Sequence, residues 1–153
     1  MADTPKHSVS VAGVVVNDAG QILVIQRRDN GHWEAPGGVL ELNESFKDGV
    51  RREVFEETGI RVTVGRLTGV YKNMRVGVVA LVFRCTPAPP QVDAQLQSAE
   101  AATVRWVELT DVPDLMDPAY AVRVADAFGA SPEPATRLHD GVHLLTGAWG
   151  PSE

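Results

Sequence analysis

Apolar and polar positions follow distinct periods along this chain, and those periods predict its secondary structure. Residues 9–16 and 22–25 are rich in β-branched side chains and are joined by the turn-forming sequence NDAG, which predicts a β-hairpin. Residues 60–71, 75–85 and 103–109 are also strand-like. The run at 75–85 is apolar enough to lie in the centre of a sheet.

Two helices are predicted among these strands. Residues 46–58 have helical periodicity, with Ser45 placed to cap the N-terminus and Gly59 placed to end the helix in a left-handed conformation. A second helix is predicted over residues 118–128, because a proline stands in its first turn. Residues 86–101 are rich in proline and glutamine and predict a long loop.

The length of 153 residues indicates one ordinary domain. We place that domain at residues 1–128 and treat residues 129–153 as a C-terminal tail. The tail contains the apolar sequence HLL and a tryptophan, so we expect it to dock on the domain or to be partly disordered.

The charge and cysteine content narrow the functional classes. A net charge of -6 argues against a protein that holds nucleic acid through phosphate contacts. It leaves room for small phosphorylated ligands, because a bound divalent cation can invert the local charge. Cys85 is the only cysteine, so no internal disulfide forms. The chain has no apolar run of about 20 residues and no signal-peptide core, so we expect a cytoplasmic protein without a membrane partner.

The predicted helix at 46–58 carries an unusual concentration of carboxylates. Phe46 and the residues one and two turns later form an apolar stripe that should face the core. Glu53 and Glu57 lie within about 60° of Phe46 on the helical wheel, so they are not on the far, solvent-facing side. Glu56 sits beside them. The pattern predicts three carboxylates at the edge of the buried face.

Two neighbouring residues support a chemical role for this cluster. Gly49 costs about 1 kcal/mol relative to alanine inside a helix, and close approach of the Gly37-Gly38 backbone would explain it. Arg52 is one turn before Glu56 and can pair with it or orient it. Carboxylates without nearby histidine or cysteine suit Mg²⁺ or Mn²⁺. A solvated charged helix is the alternative.

These residues together resemble the signature of the Nudix hydrolases. Gly38, Glu44 and the run REVFEETGI match that signature without a departure at any fixed position. The resemblance spans about residues 9–128. It implies an α/β/α sandwich around a mixed β-sheet, an α/β fold that the predicted elements fit. It also implies hydrolysis of a nucleoside diphosphate linked to another group, with Mg²⁺ or Mn²⁺ as cofactor.

The resemblance also implies roles for individual residues. It assigns the metal to Gly38, through a backbone carbonyl of the Gly37-Gly38 pair, and to Glu53, Glu56 and Glu57. Arg52 would orient a glutamate, and Glu44 would support the loop. The general base would be a signature glutamate such as Glu53 or a late-loop acid, for which Glu100 is the candidate.

Three further residues are candidates for substrate binding. Arg27 and Arg28 end a strand near the entrance of the predicted site and can donate to phosphate. Tyr71 could stack against a base. Each of them could equally be an ordinary surface residue.

The substrate class follows from missing subgroup markers. Val76 stands where many ADP-ribose pyrophosphatases have a proline, and Tyr71 falls short of the tyrosine used by many dinucleoside polyphosphate enzymes. The expected substrates are therefore (deoxy)nucleoside triphosphates, including oxidised ones. ADP-ribose or a nucleotide sugar is the alternative, and a non-catalytic nucleotide sensor is a second. Nudix enzymes often form homodimers, which the sequence leaves open here.

Overall fold

The computed structural model describes residues 3–89 and 101–146. Its strands are β1 Ser8–Val15, β2 Ile22–Arg27, β3 Trp33–Glu34, β4 Gly37–Val39, β5 Val62–Asn73, β6 Val78–Pro87, β7 Ala101–Val107, β8 Ala135–His139 and β9 Leu144–Leu145. Its helices are α1 Phe46–Thr58, α2 Val112–Leu115 and α3 Pro118–Ala127, with a 3₁₀ turn at Leu109–Asp111. Within the described ranges, no helix is long and apolar enough to cross a bilayer.

The strands form two sheets between layers of helix. The larger sheet has the order β4-β1-β6-β5-β8-β9, and the smaller has the order β3-β2-β7. The larger sheet is mixed, since β1 pairs with β6 and β5 pairs with β8 in parallel, whereas its other pairings are antiparallel. The predicted α/β fold with a mixed sheet is confirmed.

Strand β1 shows how the two faces of the sheet are buried. Val11 and Val15 pack in a cluster with α1, whereas Ala12 and Val14 pack in a second cluster with α2 and α3. Successive side chains of a strand point to opposite faces, so both faces of β1 are covered by helix. This double burial explains why residues 11–15 of the strand are continuously apolar rather than alternating.

The predicted hairpin of residues 9–25 has the expected turn, but the predicted pairing of its two strands is wrong. Asn17 closes the turn by accepting hydrogen bonds from the backbone of Ala19 and Gln21, but only a single bridge, Val16 to Ile22, joins the two strands. Strand β1 pairs with β4 and β6, so both of its edges are occupied. Strand β2 therefore joins the smaller sheet instead.

Helix α1 begins and ends where the sequence predicts. The Ser45 hydroxyl accepts a hydrogen bond from the Asp48 backbone at 3.2 Å, and Gly59 has φ +75° and donates to the Phe55 carbonyl at 2.8 Å. The predicted burial of Phe46 is wrong, because 53% of this residue is exposed. Helical side chains lean toward the N-terminus, so the ring of this first helical residue extends past the covered turns.

Part of the predicted tail is docked on the sheet. Strand β8 pairs in parallel with β5, and β9 pairs with β8. The Tyr71 hydroxyl donates to Asp126 Oδ2 at 2.7 Å, and Arg137 Nε and Nη2 donate to the same carboxylate at 2.8 and 2.7 Å. These bonds tie β5, α3 and β8 together. The domain boundary at residue 128 stays a prediction.

We expect Tyr71→Phe to lower the free energy of unfolding by about 1 kcal/mol, the usual net contribution of one hydrogen bond. Chemical denaturation monitored by tryptophan fluorescence measures this difference. Tyr120→Phe is the matched control, because the described part of the chain offers no hydrogen-bond partner to its hydroxyl. Equal stability of Tyr71→Phe and wild type would contradict the role of this bond.

Candidate active site

The Gly37-Gly38 pair lies in β4, directly beside β1 and the carboxylates of α1. A methyl group on Gly37 would collide with the Val11 carbonyl oxygen and with Ala12. A methyl group on Gly38 would lie 2.5 to 2.7 Å from the carboxylate atoms of Glu53. Real Cβ atoms do not approach other atoms this closely. Gly37 therefore requires glycine because backbone packs against it, whereas a side chain at Gly38 would displace the Glu53 carboxylate.

Two carboxylates of α1 are buried against this glycine pair. Glu53 is 8% exposed and Glu57 is 4% exposed. Glu57 Oε1 accepts a hydrogen bond from the Gly37 backbone N–H at 2.8 Å. The side chain of Glu56 is 54% exposed. The prediction that Glu53 and Glu57 lie on the core-facing edge of the helix is confirmed, and Glu56 is the carboxylate of the three that opens to solvent.

Arg52 joins the carboxylates of the site. Its Nη2 and Nε donate to the two oxygens of Glu44 at 2.6 and 3.0 Å. Its Nη1 donates to Glu53 Oε1 at 2.8 Å and reaches Glu56 Oε2 at 3.4 Å. Nη2 also donates to the Val39 carbonyl at 3.1 Å. Arg52 therefore neutralises part of the cluster and fixes the orientation of Glu53.

Glu44 supports the loop, as the sequence suggested. Besides Arg52, it accepts a hydrogen bond from the Glu41 backbone at 2.9 Å. The guanidinium of Arg52 and this backbone bond lower the pKa of Glu44 to about 2. Glu44 is thus held as a carboxylate, tying the loop before α1 to the arginine on its second turn.

The predicted partner of Gly49 is wrong. A methyl group at this position would lie 2.7 Å from Leu40 Cδ1 and 3.1 Å from Glu44 Oε1. The glycine therefore gives room to side chains of the loop that follows β4, rather than to the Gly37-Gly38 backbone. The loop passes close to α1 because Arg52 draws Glu44 onto the helix.

The donor chemistry of the site suits a hard divalent cation. Within residues 3–89 and 101–146, no three acidic or imidazole side chains already stand together as metal ligands. However, two buried carboxylates and one exposed carboxylate share one helix edge, next to the backbone of two glycines. Oxygen donors of this kind are those that Mg²⁺ and Mn²⁺ prefer. The residues present therefore fit such an ion in donor type.

A cavity of about 300 Å³ opens beside the glycine pair. Its wall includes Arg27, Glu34, Gly37, Gly38, Tyr120, Arg123 and His139. Arg27 thus lies where the sequence placed it, although its guanidinium is held by Asp29 at 2.8 Å and Glu34 at 3.2 Å. Arg28 is exposed and is absent from the described wall.

The remaining candidates from the sequence are Tyr71 and Glu100. The Tyr71 ring is fully buried between α3 and the sheet, so the prediction that it stacks on a base is wrong. Its strand is apolar on that face and draws the ring into the core. Glu100 lies outside the described residues and stays a prediction.

Sequence reasoning missed Arg123 and His139. Arg123 is on α3, and His139 ends β8, in the segment that the sequence treated as a tail. No local pattern around either residue could have placed them in the cavity, because the parallel pairing of β8 with β5 brings His139 there and the packing of α3 on the sheet brings Arg123 there.

Comparison with known proteins shows the family of the chain. The family model of the NUDIX domain matches residues 6–127. A MutT-like protein of Streptomyces ambofaciens is 54% identical over 142 residues, which are 92% of this chain and 89% of the relative. A NUDIX hydrolase from Nitrosomonas europaea has a TM-score of 0.73 at 22% identity, over 89% of this chain and 79% of that structure.

Two relatives carry names that mention a substrate. A candidate 8-oxo-dGTP diphosphatase of Bacillus subtilis (strain 168) is 30% identical over 105 residues, 69% of each chain. An ADP-ribose pyrophosphatase of Methanocaldococcus jannaschii is 32% identical over 115 residues, 71% of this chain and 66% of the relative.

These relatives define a nucleotide pyrophosphohydrolase. The α/β/α fold and the packing of the glycine pair on a helix that carries glutamates agree with this class. The chain belongs to the Nudix hydrolase family. Members of this family act on small nucleotide substrates and generally use divalent cations.

The low pKa of Glu44 predicts that the free energy of unfolding falls at acid pH. Because its folded pKa of about 2 is below the ordinary value of 4.5, this stabilisation is present above about pH 4.5 and is lost as the pH falls toward 2. Arg52→Met removes the main cause. We expect the free energy of unfolding of this variant to fall less than that of wild type between pH 5 and pH 2.5, measured by urea denaturation.

Arg51→Met is the control for this experiment, since Arg51 pairs with Asp48 at 2.6 Å rather than with Glu44. It should keep the acid dependence due to Glu44. If Arg52→Met and wild type lose stability in parallel over the same range, the Arg52–Glu44 pair does not set that pKa.

Proposed function

We propose that this protein is a Mg²⁺- or Mn²⁺-dependent hydrolase of (deoxy)nucleoside triphosphates, including oxidised ones, that releases a nucleoside monophosphate and pyrophosphate. One observation carries the catalytic part of the proposal: Glu53 and Glu57 are buried against Gly37 and Gly38. Burying carboxylates is costly unless a partner compensates for lost hydration. Binding of a divalent cation at this position would explain why the two carboxylates are buried.

Glu53, Glu56, Glu57 and the backbone carbonyl of Gly38 are the proposed metal ligands. A cation bound there would neutralise phosphate oxygens and lower the pKa of a coordinated water. The chain itself prepares the ligands. Arg52 donates to Glu53 and the Gly37 N–H donates to Glu57, and both contacts fix the position of a carboxylate beside the glycine pair.

The residues that move the proton are also proposals. The water that attacks phosphorus needs a base within hydrogen-bond reach. Glu53 or Glu100 would take this role, and Arg52 would keep Glu53 oriented while it does so. Arg27, at the wall of the cavity, would donate to the substrate phosphates, and we retain Arg28 as a weaker candidate for the same contact.

The relatives support the substrate class. The 54% identical relative is named MutT-like, and the name of the Bacillus subtilis relative specifies 8-oxo-dGTP. The second of these names favours triphosphates. The relative named ADP-ribose pyrophosphatase keeps ADP-ribose or a nucleotide sugar as the second candidate. A non-catalytic sensor is disfavoured, because the signature glutamates are all present.

A substrate panel should separate these candidates. With Mg²⁺, we expect dGTP and 8-oxo-dGTP to yield a monophosphate and pyrophosphate, and ADP-ribose to be hydrolysed more slowly. Chromatography of the products distinguishes this outcome from AMP plus ribose phosphate. EDTA should abolish turnover, and added Mg²⁺ or Mn²⁺ should restore it. Tight nucleotide binding without turnover of any substrate would favour the sensor instead.

Glu57→Gln should reduce kcat by roughly 100-fold or more, on the scale seen when one charge-stabilising group is removed. The amide oxygen can still accept the Gly37 hydrogen bond, so we expect the fold to survive, as measured by circular dichroism and thermal melting. Binding of Mn²⁺, followed by electron paramagnetic resonance, should weaken in parallel.

Glu133→Gln is the matched control, because Glu133 is exposed and remote from α1 in sequence. It should keep wild-type turnover and Mn²⁺ binding. A fully active Glu57→Gln protein would show that Glu57 does not hold the catalytic metal.

A further inference from the structure

Arg123 is a partly buried cation that forms no ion pair with a carboxylate among the described residues. Its Cζ lies 5.0 Å from the ring centroid of Tyr71 and 4.7 Å from that of Tyr120. Cation–π contacts of this kind recover part of the cost of burial. They do not supply hydrogen-bond acceptors, and Nε of Arg123 is buried without a partner in the described chain.

Three other arginines of the chain each bind a carboxylate through the edge of the guanidinium formed by Nε and Nη2. Nε and Nη2 of Arg27 donate to Asp29, those of Arg52 donate to Glu44, and those of Arg137 donate to Asp126, at 2.6 to 3.0 Å. In each pair two parallel N–H groups meet two carboxylate oxygens. Among the described residues, this edge of Arg123 meets no oxygen.

The imidazole beside Arg123 does not replace the missing acceptor. His139 Nδ1 accepts a hydrogen bond from the Gly141 backbone N–H at 3.0 Å. The proton of the neutral ring is therefore on Nε2. Burial and the charge of Arg123 lower the pKa of His139 to about 4, so the ring is neutral at pH 7. Arg123 Nη2 and His139 Nε2, 3.3 Å apart, are then two donors facing each other.

These donors lie at the cavity beside the glycine pair. Arg123 and His139 line the same cavity as Gly37 and Gly38. The remaining lining is partly apolar, including Val11 and Val78. Apolar walls with a few convergent polar groups are typical of ligand pockets. An oxygen acceptor on a bound nucleotide would satisfy a donor edge that the described part of the protein leaves unsatisfied.

We propose that Arg123 contacts the substrate of the proposed hydrolase through an oxygen acceptor of the nucleotide, and that His139 is a positioning residue whose ring lies against the guanidinium without accepting a hydrogen bond from it, which leaves the donor edge to the ligand. This inference rests on the proposed function for the identity of the ligand. The acceptor is either a phosphate oxygen or a carbonyl oxygen of the base. Arg123 lies within the region that matches the family, whereas His139 lies beyond residue 127, where that match ends, so the C-terminal segment contributes the positioning residue.

The test compares wild type with Arg123→Met and Arg123→Lys. Binding of GMP, AMP and inorganic pyrophosphate is measured by isothermal titration calorimetry in EDTA, and KM and kcat are measured for dGTP and dATP with Mg²⁺. Loss of a charge-assisted hydrogen bond should weaken binding by about 10- to 100-fold. We expect KM to rise by a similar factor in Arg123→Met, with kcat less affected and the melting temperature unchanged or higher. Arg123→Lys, which keeps the charge but not the paired donors, should be intermediate.

The pattern of loss identifies the acceptor. Equal weakening of GMP, AMP and pyrophosphate assigns Arg123 to phosphate, whereas weakening of GMP alone assigns it to the base carbonyl that adenine lacks. Arg61→Met is the matched control, since Arg61 is exposed, stacks on Phe55 and does not line the cavity. It should bind all three compounds as wild type does.

The positioning role of His139 is tested by measuring KM for His139→Gln in the wild-type and Arg123→Met backgrounds. His139→Gln offers Arg123 an amide oxygen, which should occupy the donor edge and raise KM. In an Arg123→Met background the same substitution should have no further effect on KM, whereas a purely structural role of His139 would give additive losses.

The outcomes that overturn the proposal are distinct from failure of the proposed function. Affinities of Arg123→Met within twofold of wild type for all three compounds would refute substrate contact, and so would unfolding of both Arg123 variants, which would show a structural role. Absence of hydrolysis by wild type would refute the proposed function, while the calorimetric comparison would still decide the role of Arg123.

Discussion

The contact between the Gly37-Gly38 pair and the buried carboxylates of α1 is the constraint on which the rest of the site depends. Glu53 occupies the space in which Gly38 would otherwise carry a side chain, and Glu57 takes its hydrogen bond from Gly37. Strand and helix can approach this closely only because one partner has no side chain. The approach brings backbone oxygens and ionised carboxylates to one edge, the arrangement of hard donors that divalent cations prefer.

The charge of this site is balanced within the chain before any ligand binds. Like charges one turn apart on a helix repel, and here they are also partly withdrawn from water. Arg52 offsets the repulsion by donating to Glu44 and Glu53 and reaching Glu56. The same arginine draws the preceding loop onto the helix, which explains the glycine at position 49. The packing of this loop on α1 therefore depends on the neutralisation of the carboxylates by Arg52.

Features set by local sequence were predictable, and features set by long-range pairing were not. The bounds of α1 followed from Ser45 and Gly59, because caps act on adjacent backbone. The burial of Glu53 and Glu57 followed from helical geometry. The hairpin failed because the edges of β1 are taken by β4 and β6, which no window of sequence around β1 reveals. Tyr71 was misplaced for the same reason, since its strand gains a neighbour from residues 135–139.

The parallel pairing of β8 with β5 has a consequence for how the cavity is built. The glycine pair, which lines part of the cavity, stands just before α1 within the region that matches the family. Arg123 comes from α3 at the end of that region, and His139 comes from a strand that follows it. The proposed metal ligands and the proposed positioning residue are thus carried by separate stretches of chain. Substitutions after residue 127 leave the carboxylates of α1 in place, so the nucleotide preference proposed for the cavity could be altered there without changing the proposed metal site.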